Sequence, residues 1–340
     1  MNAKSSSLAS FEGLENLETI GGNFKVIAES SLKSLSSFKG LSSLKSIGED
    51  FEVNTNSSLN ALESFEGLES LETIGGNFRV IAESFSYSYS FNVLSSFKGL
   101  SSLKSIGGDF EVSTDHSSSP HPSHSLNALE SFEGLESLET IGGNFRVIAE
   151  SFSYSYSFNV LSSFKGLSSL KSIGGDFEVS TDHSSSPHPS HSLNALESFE
   201  GLESLETIGG NFRVIAESFS YSYSFNVLSS FKGLSSLKSI GGDFEVKARV
   251  LESFEGLENL TNIGDKLTIK GCSSLNNIDA LKNIESLNDI SITTCSKLYD
   301  FCVLKNVVQN MSGTFYVNDN GYNPTKYQLL NGECSQIPQE

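Results

Sequence analysis

The stretch Leu35-Ser36-Ser37-Phe38-Lys39-Gly40-Leu41-Ser42-Ser43-Leu44-Lys45-Ser46-Ile47-Gly48-Glu49-Asp50-Phe51-Glu52-Val53 decides the fold. With Leu32 just upstream, its apolar residues Leu35, Phe38, Leu41, Leu44 and Ile47 recur at every third position. That period suits neither a strand, which repeats every two residues, nor an α-helix, which repeats every 3.6. Beyond Ile47 the pattern changes to alternation, with Phe51 and Val53 pointing one way and Glu52 and Asn54 the other. The glycine after Ile47, a Gly-Gly pair in most copies, reads as a tight turn with positive φ. A short strand joined to arcs that face inward every third residue is one coil of a solenoid, and such a coil buries its apolar side only by stacking. The chain is therefore expected to be mainly β, a parallel β solenoid of roughly 11 coils.

The rest of the chain repeats this unit. Leu59–Ser125 and Leu126–Ser192 are letter-for-letter identical, and Leu193–Val246 copies the first part of the same block. This is duplication without divergence, or an assembly error in the gene. Each block holds a Phe-Glu-Gly-Leu-Glu unit, at Phe65, Phe132 and Phe199, and a Phe-Lys-Gly-Leu-Ser unit, at Phe97, Phe164 and Phe231; diverged versions begin at Phe11, Phe38 and Phe254. The expected organisation is a disordered leader at 1–7, a solenoid over 8–299 and a C-terminal capping segment at 300–340. Insert loops fall near 85–91, 113–125, 152–158, 180–192 and 219–225, as loops on one side of a solenoid do.

Three charged columns carry the stacking argument. Between the two apolar strand positions stand Lys25, Glu52, Arg79, Glu111, Arg146, Glu178, Arg213 and Glu245, alternating in sign at every step. After the first Phe of each unit come Glu12, Lys39, Glu66, Lys98, Glu133, Lys165, Glu200, Lys232 and Glu255; a third column runs Glu18, Lys45, Glu72, Lys104, Glu139, Lys171, Glu206 and Lys238. Stacked coils lie about 4.8 Å apart, so each charge should meet its opposite, and slipping by one coil would align like charges in all three columns. Each exposed pair contributes little stability; the larger effect is on register.

The chain resembles a known family. Phe51-x-Val53-x-x-Asn56-x-x-Leu59, Leu267-x-Ile269-x-x-Cys272-x-x-Leu275 and Ile290-x-Ile292-x-x-Cys295-x-x-Leu298 resemble leucine-rich repeats. The fuller phrase Leu-x-x-Ile-Gly-Gly-x-Phe-x-Val resembles the receptor L-domain repeat of growth-factor receptor ectodomains and of surface proteins in bacteria, fungi and protists. The resemblance spans about Leu8 to Leu298. It implies a right-handed solenoid, an extracellular or cell-surface setting, and a binding or wall role without catalysis. It carries over no ligand-binding residue.

Composition bounds the partners. With 22 Lys and Arg against 41 Asp and Glu, the net charge is −19, which disfavours nucleic acid and anionic membranes as partners. No segment reaches the run of about 18 apolar residues that spans a bilayer, so no direct membrane insertion is expected. Residues 1–7 lack the apolar core of a signal peptide; the chain is cytosolic, or a mature or truncated fragment. At the first coil the open edge invites head-to-tail self-association.

Candidate chemistry is sparse. Cys272 and Cys295 hold the same position in successive coils, and Cys302 and Cys334 could tie down the tail; the favoured pairing is 272–295 with 302–334, against buried free thiols. A bridged chain belongs outside the reducing cytosol. All six histidines, His116, His121, His124, His183, His188 and His191, lie in two Ser- and Pro-rich inserts, which read as polar loops or, with the neighbouring carboxylates, as metal ligands. The aromatic inserts place Tyr87 and Tyr89, Tyr154 and Tyr156, and Tyr221 and Tyr223 on one face of a strand, packed on the solenoid flank or offered as platforms to a sugar or protein partner. Sequons stand at Asn56, Asn259 and Asn310. No phosphate loop, G-x-S-x-G or H-E-x-x-H is present. No cofactor is expected. The reading is a non-catalytic adhesion or recognition protein for a protein or glycan partner; the alternative is a structural spacer whose repeat number sets length.

Overall fold

A computed structural model describes residues 2–4, 8–28, 34–55, 61–82, 94–114, 129–149, 161–181, 196–216 and 227–336. The chain winds into a parallel β solenoid. Among the described residues, one sheet of twelve strands and one of nine run the length of the stack. The long-sheet strands include Phe24–Ala28, Phe51–Thr55, Phe78–Ala82 and Phe110–Thr114, and the second sheet is built of two-residue strands such as Thr19–Ile20 and Ser46–Ile47.

The three-residue period has a hydrogen-bond origin. Leu68 N–H donates to Phe65 O at 3.1 Å, and Leu71 N–H donates to Leu68 O at 2.9 Å. Each inward residue thus closes a turn on the one three before it. The arcs are also bonded coil to coil: Phe65 N–H donates to Lys98 O and Lys104 N–H to Glu72 O, each at 2.8 Å. Backbone groups of a buried turn are thereby satisfied without a helix.

The Gly-Gly turn corrects the sequence reading. Its glycines do not adopt positive φ; within the repeat unit the glycines that do are those of Phe-x-Gly, with Gly67 at 103° and Gly134 at 106°. What the Ile-Gly-Gly corner requires is absence of a side chain. A Cβ at Gly142 would lie 2.2 Å from the carbonyl oxygen of Gly107 in the preceding coil.

The core is two parallel columns of phenylalanine rings. Phe38, Phe65, Phe97 and Phe132 stack with centroids 5.5–5.6 Å apart; Phe51, Phe78, Phe110 and Phe145 form the second column at 5.1–5.2 Å. All eight are fully buried. Near-parallel stacking ends at Phe244, whose ring stands at 90° to Phe212. Its partner in the next coil is Leu267, so no further ring holds it flat.

The charged columns pair as expected. Register puts Lys25 opposite Glu52 and Glu52 opposite Arg79. Lys25 Nζ lies 2.7 Å from Glu52 Oε2, and Arg79 Nε lies 3.3 Å from Glu111 Oε2. In the second column Lys39–Glu66, Lys98–Glu133 and Lys165–Glu200 each approach to 3.5 Å. In the third, Lys45–Glu18, Lys104–Glu72, Lys171–Glu139 and Lys238–Glu206 lie at 2.6–2.9 Å. A fourth column runs beside these three. Asn23, Asp50, Asn77, Asp109 and Asn144 alternate at the corner, each side-chain oxygen accepting the backbone N–H of the next member, for example Asp109 N–H to Asn77 Oδ1 at 2.8 Å.

Acid should loosen this stack. Hydrogen bonds from Lys45, Lys104, Lys171 and Lys238 hold the carboxyls of Glu18, Glu72, Glu139 and Glu206 below their ordinary value of 4.5. Because the folded values are the lower ones, the contribution is complete above about pH 4.5 and is lost as pH falls through them. Thermal melts should therefore drop below that pH at low salt, and the drop attributable to these exposed pairs should shrink in high salt.

Both ends differ from expectation. Asn2–Lys4, in the segment expected to be a disordered leader, forms a strand parallel to Phe24–Ala28, which satisfies part of the edge left by the first coil. At the other end, Phe315–Asn318 lies within the expected cap yet pairs in parallel with Asp289–Thr293. The connection to it passes through a short 3₁₀ turn, Cys302–Leu304, and helix α1, Lys305–Asn310, so the repeat spacing is lost while the coil continues. Helix α2, Lys326–Leu330, begins with a capping box between Thr325 and Gln328, and the Cys302–Cys334 disulfide closes the tail over the last coil.

Candidate functional site

Two places differ from the self-paired flanks. The first is one edge of the long sheet. Its strands end at Thr55, Ala82, Thr114, Ala149, Thr181 and Ala216, and these ends are in register: Thr55 with Ala82, Thr114 with Ala149, Thr181 with Ala216. Every aromatic and His-rich insert leaves from this edge, one kind after the other. The tyrosines Tyr87, Tyr89, Tyr154, Tyr156, Tyr221 and Tyr223, and the six histidines from His116 to His191, lie outside the described residues. Among the described residues, no group of three or more His, Cys, Asp or Glu side chains is placed to hold a metal ion.

The second place is in the C-terminal coils. Here a cleft of about 450 Å³ opens beside α1 and the short strand Asn262–Ile263, lined by Asn259, Lys282, Asn283, Glu285 and Asn306 among others. It forms where the coils stop being copies. In the strand column, Glu245 is followed by Thr268, Ser291 and Tyr316, so the charge ladder ends just before the cleft.

The cysteines divide. Cys302 and Cys334 are joined, as expected. The expected Cys272–Cys295 bridge is not formed: both are buried free thiols. They do occupy neighbouring coils, but Cys272 Sγ points at the carbonyl of Lys270, 3.7 Å away, and Cys295 Sγ at that of Thr293, 3.4 Å away. Each sulfur fills the core slot at its own strand end, with the two thiols close enough to interact. The adjacent Cys295 sulfur and burial push the Cys272 thiol up, which keeps it protonated and unreactive.

Comparison with known proteins adds no assignment: no protein-family model matches the chain, and no curated protein sequence matches it. Among the described residues, no helix is long and apolar enough to cross a membrane.

Proposed function

We propose that this chain is a non-catalytic recognition protein of the receptor L-domain type, secreted or held at a cell surface, that adheres to a protein or glycan partner. The observation that carries the reading is the insert edge. The strand ends are held in register, so the points from which the aromatic and histidine-rich segments depart recur along one sheet edge at the coil spacing. Inserts gathered on one side of a solenoid commonly form its binding face, and a row of weak contacts gains affinity through multivalency. The three charged flank columns are taken up in pairing with one another. The Cys302–Cys334 disulfide favours an oxidising, extracellular setting.

The identical blocks favour a second reading as a spacer, since each block adds two rungs, about 10 Å of length. The test is binding of the full chain to cell and glycan arrays, beside a variant carrying Tyr→Ser at Tyr87, Tyr89, Tyr154, Tyr156, Tyr221 and Tyr223. Recognition expects binding that the variant loses. Concentration-dependent polymerisation with no binding would instead support the spacer.

A further inference from the structure

We infer that the C-terminal cleft is a binding site for a neutral oligosaccharide. The argument starts from one column of the repeat, the fifth residue after the first Phe of each coil. In the copied coils it is serine. Ser70, Ser137 and Ser204 each donate their hydroxyl to a backbone carbonyl of the preceding coil, at 2.6–2.7 Å. Asparagine takes the same position in the first coil, at Asn16, and in the last three coils, at Asn259, Asn283 and Asn306. Asn259 Nδ2 donates to Ser235 O at 2.7 Å, and Asn283 Nδ2 donates to Glu258 O at 2.6 Å. The anchor of the serine is thus kept at Asn259 and Asn283.

A serine spends its one donor on that bond, whereas an asparagine retains a second N–H and a carbonyl oxygen. At Asn259 and Asn283 the column accordingly becomes a pair of oriented carboxamides, one rung or about 4.8 Å apart, exposed along the cleft wall with Asn306 beside them. The anchoring bond alone does not call for the change, since serine makes it at Ser70, Ser137 and Ser204. A pair of donor and acceptor on one rigid amide matches vicinal hydroxyls, and the rung spacing is comparable with the length of one sugar ring.

Charge fixes the class of ligand. Lys282 and Glu285 also line the cleft. Among the described residues neither side chain has an ion-pair or hydrogen-bond partner, unlike the paired lysines and glutamates of the three ladders. One cation and one anion cancel, which disfavours an anionic or cationic ligand and leaves both free to bond hydroxyls. The volume falls within the range of ligand sites, about 300–1,000 Å³, and the wall is too polar for an apolar ligand. The proposal shares with the recognition reading only the premise that the chain binds partners without transforming them.

The test uses the full chain titrated with cellohexaose, xylohexaose, mannohexaose and N-acetylchitohexaose, with a heparin hexasaccharide as the charged comparator. At least one neutral probe is expected to bind, with little salt dependence. Asn259→Ser with Asn283→Ser, which restores the residue of the copied coils and its anchor, should weaken that binding at least tenfold without lowering the melting temperature. Lys282→Ser should weaken it as well, and the tyrosine variant should leave it unchanged. Binding of none of the four neutral probes, preference for heparin, or unchanged affinity in the Asn→Ser pair would overturn the proposal. Tyrosine-dependent binding to cells would stand through any of those results, so failure of the cleft is distinguishable from failure of the recognition reading.

Discussion

Gly142→Ala is expected to destabilise the solenoid by about 3 kcal/mol or more, an unusually large effect for one methyl group. The added Cβ would sit 2.2 Å from Gly107 O and 2.9 Å from Gly107 C. These are backbone atoms, which cannot rotate away. The coils are held at that separation by Gly142 N–H donating to Ile106 O and Gly143 N–H donating to Gly108 O, each at 2.8 Å. Relieving the overlap means parting the coils at this corner, at about 1 kcal/mol for each bond lost and about 1–3 kcal/mol for overpacking. The matched control lies in the same motif. Gly21 occupies the equivalent corner of the first coil, and a Cβ there would meet nothing within 4 Å. Gly21→Ala should therefore be near neutral, or slightly stabilising through lost chain entropy. Denaturant midpoints for the two variants check this; equal losses would remove close approach as the reason for the glycine pair.

The second large effect concerns sign, not size. Deleting residues 94–128 removes one coil and joins the Phe65 coil directly to the Phe132 coil. Deleting residues 94–160 removes a complete two-coil period. The shorter deletion sets Glu66 against Glu133, Glu72 against Glu139 and Arg79 against Arg146, and it removes the contacts Lys98–Glu133, Lys104–Glu72 and Arg79–Glu111. The longer one leaves every column alternating. In the strand column alone, trading an opposite pair for a like pair should cost about 1 kcal/mol, and the other two columns act in the same direction. Neighbour terms in a solenoid add, so by length alone the longer deletion should be the more damaging. The expected order is the reverse: the 94–128 deletion has the lower denaturation midpoint at low salt, and the gap narrows at high salt. A 94–160 deletion that is the less stable of the two at low salt would contradict the role given to the ladders.

Much of this was legible in the chain, and the parts that were not have physical reasons. The three-residue period was visible because each inward residue accepts a turn bond from the next, as Phe65 does from Leu68. The strand alternation Phe51-Glu52-Val53 and the charge columns were visible because stacking repeats them. The alternation Asn23, Asp50, Asn77, Asp109 is equally regular in the sequence, but its meaning lies in backbone N–H groups that each side chain reaches only once the coils are stacked. Glycine itself was misread: positive φ belongs to Gly67 and its equivalents, and a sequence does not say whether a glycine answers to φ or to a neighbouring backbone. Phe315–Asn318 was hidden because α1 replaces the usual arcs before it. The Cys272–Cys295 pair shows that one column brings two thiols together without joining them. The serine-to-asparagine switch at Asn259, Asn283 and Asn306 could have been found from spacing alone, but its meaning depends on the bond that both residues make.

The central claim is that consecutive coils lie directly upon one another in the register that places Lys25 beside Glu52. It is tested most directly by cysteine trapping. The double variant Lys25→Cys, Glu52→Cys places the new thiols one rung apart, about 4.8 Å between backbones, within reach of a disulfide. The variant Lys25→Cys, Arg79→Cys places them two rungs apart, about 10 Å, beyond it. Under mild oxidation the first pair should close within one chain and the second should remain open. Closure of the second pair, or failure of the first in folded protein, would contradict the stacking on which the fold and the insert edge depend.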